Sequence, residues 1–248
     1  MLPKTHPRYD SLRQRELLIE GYRVGATAIA GLIAFGRGEA FDYLLGEKTP
    51  ESTLPTIDAS AALLLSAKNP VISVNGNAAV LCPSELVKLA EIVGAKLEIN
   101  LFYRTIERLN VIENILKENG AKHVYGVQFD TEINGLESER RKVDSEGIAL
   151  ADVVFVALED GDRTEALIGA GKKVIAVDLN PLSRTAKKAS ITIVDNIVRA
   201  IPLLIEAVEK LKRSDEKTLE QLISDFDNQH SLETAAAEIR SNLKSSQP

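Results

Sequence analysis

The pattern of apolar positions along the chain changes near residue 70. Before that point apolar residues recur at helical spacing, which predicts helices within residues 11–66, the last of them running from Thr56 to Lys68. After it, short runs of β-type residues alternate with amphipathic stretches, as in a parallel sheet with crossover helices. The helical stretches at 84–93 and 105–119 are each followed by a glycine, which commonly ends a helix.

Six short apolar runs supply the predicted strands. They cover residues 71–74, 96–99, 123–127, 153–158, 173–177 and 191–194. Together they predict an α/β fold with a mostly parallel six-stranded sheet and helices on both of its faces. We expect residues 1–69 to form a helical segment packed on the core, residues 70–211 the core, and residues 212–248 a C-terminal helical tail. The tail's apolar positions suit packing either on the body or on a second subunit.

The charge balance excludes a general role in binding nucleic-acid backbones. The 248 residues include 30 Lys and Arg against 36 Asp and Glu, a net charge of −6, whereas such binding requires a basic face. The apolar runs are far shorter than the roughly 18 residues that span a bilayer. The lone cysteine, Cys82, forms no internal disulfide, and the first residues lack the apolar stretch of a signal peptide. We therefore expect a cytoplasmic protein without a membrane span.

Several catalytic classes lack their usual motifs in this chain. The three histidines and the cysteine are too widely spread for a Cys/His zinc cluster. No G-x-S-x-G elbow occurs, no G-x-x-x-x-G-K-[ST] loop occurs, and no G-x-G-x-x-G loop follows the first strand. A triad hydrolase, a Walker-type ATPase and an ordinary NAD enzyme are therefore disfavoured.

Polar segments follow every predicted strand. Because ligands of open parallel sheets bind outside the carboxyl ends of the strands, these segments are expected to share one crevice. Arg104, Arg163 and Arg184 each follow a strand by a few residues, and Arg15 and Arg37 lie in the N-terminal helices. An arginine fork suits phosphate and carboxylate groups. A single arginine at such a position is typical of a surface ion pair. Five arginines expected at one crevice predict an anionic ligand.

Asp178 ends a buried predicted strand and has two interpretations. It either accepts hydrogen bonds from ribose hydroxyls, as acids do at this place in nucleotide-binding sheets, or caps its own loop at Asn180 or Ser183. The residue pattern alone leaves both open.

Seven unusual strings carry a family resemblance. They are residues 6–9 (HPRY), 36–47 (GRGEAFDYLLGE), 74–77 (VNGN), 100–104 (NLFYR), 135–141 (GLESERR), 158–166 (LEDGDRTEA) and 178–186 (DLNPLSRTA). These strings closely resemble the archaeal phosphopantothenate synthetase family, whose members are 4-phosphopantoate–β-alanine ligases of coenzyme A biosynthesis. The resemblance spans about residues 3–211, and the tail beyond Lys212 is not covered.

The resemblance implies a Rossmann-like homodimer with a nucleotide-binding core. It implies that ATP and Mg²⁺ serve to join the carboxylate of 4-phosphopantoate to the amine of β-alanine, with release of AMP and pyrophosphate. By the family pattern the nucleotide contacts fall on Arg15, Arg37, Asp178, Leu179, Asn180, Arg184, Thr185, Asn196 and Ile197. Which subunit supplies Arg15 and Arg37, and whether the activated intermediate is an adenylate or an acyl phosphate, stay open.

The chemistry at the strand ends suggests roles for individual residues. We expect Arg37 and Arg184 to hold triphosphate oxygens, and Asp178 and Asn180 to hold the adenosine. The expected phosphopantoate contacts are Asn75, Asn77, Tyr103 and Arg104. Transition-state charge on phosphoryl oxygens is stabilised by positioned cations without a covalent nucleophile. The predicted catalytic residues are accordingly Arg37, Arg104, Arg184 and Asp162.

The acids after the fourth apolar run have open roles. Glu159, Asp160 and Asp162 are candidates for holding Mg²⁺ or the ammonium group of β-alanine. An Asp162–Arg163 ion pair is the structural alternative, so the metal ligands are unassigned.

Two other functions compete with the ligase. One is an NAD-dependent oxidoreductase on the same fold, against which the missing glycine motif counts. The other is a nucleotide-sensing module without turnover, which would bind ATP and release no pyrophosphate.

Overall fold

The computed structural model describes residues 3–157 and 161–245. Three helices precede the sheet: α1 (Tyr9–Arg23), α2 (Ile29–Leu45) and α3 (Leu54–Ser66). The elements that follow are β1 (Pro70–Val74), α4 (Gly76–Leu81), α5 (Pro83–Val93), β2 (Lys96–Ile99), α6 (Ile106–Glu118), β3 (Thr131–Glu132), β4 (Lys142–Val143), β5 (Val153–Ala157), α7 (Gly161–Gly169), β6 (Lys173–Val177), α8 (Arg184–Lys188), β7 (Ile191–Ile193) and α9 (Ile197–Leu211). Helices α10 (Glu216–Ser224) and α11 (Asn228–Ser245) come last.

The main sheet has five strands within the described residues, in the order β2-β1-β5-β6-β7, and all its pairs are parallel. The expectation of six strands was wrong. Within residues 123–127 the backbone hydrogen bonds to β2 come from Tyr125, whose N–H and carbonyl bond to β2 at 2.8 and 2.9 Å. The next residue, Gly126, has φ +82° and lies so close to Ile99 that a Cβ would be 2.3 Å from its carbonyl oxygen. The chain therefore turns away after one bridge.

The strands alternate between two apolar layers, as the side-chain period of two requires. In β5, Val153 and Phe155 face the larger layer, which includes residues of α3, α5, α6 and α9, while Val154 and Val156 face a smaller layer that includes residues of α7. Helices therefore cover both faces, and the predicted α/β fold class is confirmed.

The order of the strands places a crevice at one point of the sheet. Chain order reverses between β1 and β5, since β2 lies on one side of β1 and the later strands extend on the other. Ligands of doubly wound sheets bind beyond the carboxyl ends of the strands at this reversal. The carboxyl ends of β1 and β5 flank it directly.

A buried acid anchors the loop between β4 and β5. Glu98 on β2 is 0% exposed, and its carboxylate accepts hydrogen bonds from the N–H groups of Asp144 (3.2 Å) and Ile148 (2.6 Å). The buried guanidinium of Arg163 donates to the hydroxyl of Ser73 at 3.0 Å, and its charge favours the ionised form of Glu98. Burial outweighs these contacts and raises the pKa of Glu98 to about 7.

Glu98→Gln is predicted to flatten the pH dependence of stability. Because folding raises the pKa of Glu98 from 4.5 to about 7, the folded protein binds more protons than the unfolded chain in this window. The wild-type free energy of unfolding therefore falls as the pH rises through it. An amide does not titrate, so the difference in stability between the two proteins should change by up to about 3 kcal/mol. Urea unfolding at several pH values measures this, and a constant difference would contradict the raised pKa.

Candidate active site

The loop after β6 is shaped by its own side chains. Oδ1 of Asp178 accepts a hydrogen bond from the N–H of Asn180 at 2.9 Å, and Oδ2 accepts one from the hydroxyl of Ser183 at 2.5 Å. Burial raises the pKa of Asp178, while these two bonds and the positive charge of Arg37 lower it. The loop-capping interpretation of Asp178 is thus confirmed, and its contact with ribose stays a prediction.

Helix α2 brings Arg37 to this loop. The side chain of Arg37 is exposed midway along the helix, close enough for its charge to act on Asp178. At the next position, a Cβ built on Gly38 would lie 3.6 Å from a methyl group of Leu179. The structure therefore brings Arg37, Asp178 and Leu179 together at the carboxyl end of β6.

Arg15 is fixed between α1 and α2 by an ion pair. Its Nε donates to both carboxylate oxygens of Glu39, at 2.8 and 3.0 Å, and the hydroxyl of Ser11 donates to the same carboxylate at 2.6 Å. Glu39 lies on α2 two residues beyond Arg37. Arg15 is thus tied to the helix that carries Arg37.

Arg184, at the start of α8, meets the acidic first turns of α7. Its guanidinium pairs with Asp162 and, at 2.5 Å, with Glu165, and all three side chains are substantially exposed. Gly161 permits this approach, because a Cβ there would lie 2.7 Å from the Cβ of Arg184. Among the described residues Asp162 therefore pairs with Arg184, and not with the buried Arg163 as the structural alternative expected.

Asn196 begins α9 and is buried against the N-terminal helices. Its amide donates to the side-chain oxygens of Gln14 and Asp42, both at 2.9 Å. Arg199, one turn further along, pairs with Asp42 at 2.5 Å and with Asp195 at 2.6 Å. This network joins α1, α2 and α9 beneath the rim.

Three further residues of the predicted nucleotide site are buried. Leu179, Thr185 and Ile197 are 4%, 3% and 2% exposed. The side chains of Leu179 and Ile197 belong to buried apolar clusters, and the contact of all three residues with a nucleotide stays a prediction.

Asn75 and Asn77 join backbone segments at the reversal point. The amide of Asn75 donates to the carbonyl of Ala157 at 2.6 Å, which bridges β1 and β5, and its oxygen accepts from the N–H of Ala78 at 3.0 Å. The amide of Asn77 donates to the carbonyl of Gly31 in α2 at 2.8 Å. Both side chains are buried and hold the crevice in shape.

Arg104 lies beyond the end of β2 and is held by backbone oxygens. Its Nη2 donates to the carbonyls of Gly126 (2.8 Å) and Val127 (3.2 Å), and its guanidinium carbon lies 5.2 Å from the ring centre of Phe129. Its Nη1 is buried and has no hydrogen-bond partner among the described residues. Burial lowers the pKa of Arg104.

A second arginine follows four residues later in the chain. Arg108, in the first turn of α6, donates to the carbonyl of Tyr103 and, at 2.8 Å, to that of Ala26. Its Nε is buried and has no hydrogen-bond partner within residues 3–157 and 161–245. Burial, and then the positive charge of Arg140, lower the pKa of Arg108.

Arg108 and Arg140 are additions that the sequence analysis missed. Arg108 follows Arg104 by four residues, or one helical turn, and Arg140 lies within the string 135–141. Both signals were present in the sequence, but only folding brings the two guanidinium groups close. We name Arg104, Arg108 and Arg140 the arginine cluster.

Asn100 and Tyr103 border the arginine cluster. The fully buried amide of Asn100 donates to the carbonyls of Arg140 (3.1 Å) and Lys142 (3.2 Å), which fixes the β3–β4 hairpin to the end of β2. Tyr103 is 55% exposed and stacks edge-to-face on Phe102, with ring centres 5.0 Å apart. An exposed aromatic pair thus flanks the cluster.

A cavity of about 1230 Å³ opens between the β3–β4 hairpin and α7. Its lining includes Phe102 from the end of β2, Asp162 and Arg184 from the ends of β5 and β6, and residues 132–138 of the β3–β4 hairpin. Of the arginines described above, Arg184 lines this cavity, and Arg104, Arg108 and Arg140 do not.

The predicted site residues accordingly fall into two groups on one rim. The residues predicted to bind nucleotide lie around the ends of β6 and β7, and those predicted to bind phosphopantoate lie around the ends of β1 and β2. Glu159 and Asp160 lie outside the described residues. Within the described chain no cluster of three or more His, Cys, Asp or Glu side chains is arranged to hold a metal ion, and no helix is long and apolar enough to cross a membrane.

The fold and the rim define a doubly wound, Rossmann-like α/β protein with arginines at the carboxyl ends of its parallel strands. A model of the phosphopantothenate/pantothenate synthetase family matches residues 52–242. The chain belongs to this family.

Curated relatives support the same family across nearly the whole chain. A 4-phosphopantoate–β-alanine ligase of Thermococcus kodakarensis is 53% identical over 243 residues, which cover 98% of this chain and 93% of the relative. The enzyme of that name from Methanosarcina mazei is 50% identical over 243 residues, covering 98% and 96%. The Methanospirillum hungatei ligase is 51% identical over 201 residues, covering 81% and 82%.

These comparisons confirm the resemblance to phosphopantothenate synthetases and extend it. The matched residues run well past Lys212, so α10 and most of α11 belong to the shared family region. The expectation that the resemblance ends near residue 211 was wrong.

Proposed function

We propose that the chain is an ATP-dependent ligase that joins 4-phosphopantoate to β-alanine and releases 4′-phosphopantothenate, AMP and pyrophosphate. The observation that carries the proposal is the presence of arginines at two places along the carboxyl edge of the sheet, Arg37 and Arg184 near the end of β6 and Arg104 and Arg108 beyond the end of β2, in a protein of net charge −6. Two phosphorylated substrates need two such groups. The names of the relatives support the same reaction and not an oxidoreductase.

ATP is proposed to occupy the end of the rim around β6 and β7. Arg37 and Arg184 would contact its phosphates, while Asp178 and Asn180 would contact the adenosine. Arg184 is already paired with Asp162 and Glu165, so phosphate binding would exchange one anionic partner for another. Because all three side chains are exposed, breaking these ion pairs costs little free energy.

The phosphate of 4-phosphopantoate is proposed to bind the arginine cluster. Arg104 and Arg108 are held by neutral carbonyl groups and form no ion pair within the described residues, and the negative charges of Glu139 and Glu98 act on Arg104 from further away. Burial depresses their pKa values, so a dianionic phosphate would relieve an existing electrostatic cost. Asn75, Asn77 and Tyr103 would border the pantoate carbons and hydroxyl.

The reaction needs the substrate carboxylate to become a good acyl donor. One carboxylate oxygen attacks the α-phosphorus of ATP, the bond from that phosphorus to the bridging oxygen breaks, and pyrophosphate leaves. The neutral amine of β-alanine then attacks the acyl carbon, loses a proton, and displaces AMP. Arginines positioned at the phosphoryl oxygens stabilise charge in the first step without any covalent nucleophile.

Mg²⁺ is proposed to arrive with the phosphates of ATP. Mg²⁺ keeps several waters and takes one or two protein carboxylates together with substrate phosphates. The Asp162 and Glu165 carboxylates beside Arg184 fit such a limited donor set, and a larger acidic cage is absent from the described residues. Bound there, the ion would neutralise phosphate charge. The ammonium group of β-alanine is the other cation that these acids suit.

A homodimer in the cytoplasm completes the proposal. Apolar side chains are exposed at the end of α1 and the start of α2, namely Tyr22, Val24, Ile29 and Ile33, at 44–63% of their surface. Such a patch marks a docking face, and a second copy of the chain is its proposed occupant. The buried, unpaired thiol of Cys82 suits a reducing compartment.

The direct test supplies ATP, Mg²⁺, 4-phosphopantoate and β-alanine and separates the products by chromatography. We expect equal amounts of AMP, pyrophosphate and 4′-phosphopantothenate. ADP in place of AMP would contradict activation at the α-phosphorus. ATP binding without pyrophosphate release would favour the sensing module, and hydride transfer to NAD would favour the oxidoreductase.

Arg108→Ala is predicted to weaken recognition of the substrate phosphate. Losing a charge-assisted contact of about 1.5–3 kcal/mol should raise the KM for 4-phosphopantoate by roughly 10- to 100-fold and leave the KM for ATP near its wild-type value. Preference for 4-phosphopantoate over unphosphorylated pantoate should fall by the same factor. Arg108→Lys, which keeps a charge, should lose less.

The matched control is Arg213→Ala, which removes an exposed arginine just past the end of α9. That helix begins at the rim, and its 15 residues put Arg213 about 22 Å away along the axis. Unchanged discrimination between the two substrates in Arg108→Ala would refute the proposed phosphate contact.

A further inference from the structure

Asn228, the first residue of the C-terminal helix α11, bonds through its side chain to the body of the protein. Asn228 accepts a hydrogen bond from the N–H of Thr192 at 2.7 Å through Oδ1. Its Nδ2 donates to the carbonyls of Ala186 (3.0 Å) and Ala189 (3.2 Å). One side chain thus connects β7 with the end of α8, whose first two residues are Arg184 and Thr185.

Apolar contacts extend this connection along α11. Leu232 and Ala235, one and two turns beyond Asn228, are 7% and 2% exposed. They belong to one buried cluster with Leu179 and Ala186. Leu179 adjoins Asp178, so α11 forms part of the floor beneath the loop after β6.

The far half of the same helix contacts α2. The amide of Asn242 donates to the carbonyl of Leu44 at 3.1 Å, and Ile239 packs with Phe41 against the apolar cluster that contains Leu45. Helix α2 carries Arg37. One helix therefore braces both the 178–189 segment and the helix opposite it, which are the two sides of the proposed ATP site.

We propose that α11 is a brace for the nucleotide site and that Asn228 is its main positioning residue. Asn228 does not touch the substrates. It fixes the position of α8 relative to β7 and thereby the arrangement of Arg184 and Thr185. This inference rests on the proposed function, since it takes the 178–185 loop as the place where ATP binds.

The test compares Asn228→Ala with Ser231→Ala. Ser231 lies on the same helix, but its hydroxyl bonds to that of Thr56 in α3 at 3.0 Å and not to the 178–189 segment. Asn228→Ala removes three hydrogen bonds between α11 and the body, and Ser231→Ala removes one. We expect Asn228→Ala to raise the KM for ATP and the calorimetric Kd for ATP about tenfold, because displaced Arg184 and Thr185 would lose contact with ATP equivalent to roughly one hydrogen bond. The KM for 4-phosphopantoate should stay within about twofold of the wild-type value in both variants.

Ser231→Ala should bind ATP like the wild type. Equal ATP affinities in the two variants, whatever their thermal stabilities, would overturn the inference, as would an Asn228→Ala defect shared equally by both substrates. If Asn228→Ala does not fold, Asn228→Asp replaces it, because aspartate keeps the acceptor for Thr192 and loses both donors. The same tenfold loss of ATP affinity is expected, and wild-type affinity would overturn the inference.

Different results would contradict the ligase reaction and the role of Asn228. A wild-type protein that binds ATP but forms no AMP contradicts the reaction, while the binding comparison still decides the role of Asn228. A wild-type protein that binds no ATP overturns both.

Discussion

Parallel pairing of the five main strands is the constraint on which the candidate site depends. Because the strands are parallel, their carboxyl ends all lie at one edge of the sheet. Residues that follow different strands, such as Arg104 and Arg184, therefore reach the same rim although they are distant in sequence. The reversal of strand order between β1 and β5 opens that rim at its centre. Asn75 holds the opening in shape by bonding across it to Ala157.

Electrostatics then separates the rim into two environments. Around β6, Arg184 forms ion pairs with Asp162 and Glu165, and Arg15 forms one with Glu39. Both arginine side chains are exposed to solvent. Beyond β2, carbonyl dipoles hold Arg104 and Arg108, and burial penalises their charge. Exposed ion pairs exchange partners at little cost, whereas half-buried cations gain most from a strongly charged ligand. This difference fits the proposed binding of the ATP triphosphate near β6 and of the 4-phosphopantoate phosphate beyond β2.

Much of this arrangement was predictable from the sequence, and the failures have physical causes. Hydrophobic periodicity located the five strands that form, because each is a short run buried on both faces. It failed at 123–127, where the close approach of Gly126 to Ile99 and its positive φ end the pairing after Tyr125. The rule that ligands bind beyond the carboxyl ends of parallel strands singled out Arg104 and Arg184. It missed Arg108 and Arg140, since their proximity depends on how α6 and the β3–β4 hairpin pack. The proposed role of α11 was equally hidden, because Asn228 bonds to backbone groups 42 and 39 residues earlier in the chain.

In the proposed reaction, the rim holds the carboxylate of 4-phosphopantoate against the α-phosphorus of ATP. Labelling the carboxylate of 4-phosphopantoate with ¹⁸O and analysing the products by mass spectrometry tests this most directly. We expect AMP to leave with one ¹⁸O atom, because the attacking carboxylate oxygen stays on phosphorus when the amine displaces AMP. Unlabelled AMP, or label released in inorganic phosphate, would rule out attack of the carboxylate on the α-phosphorus.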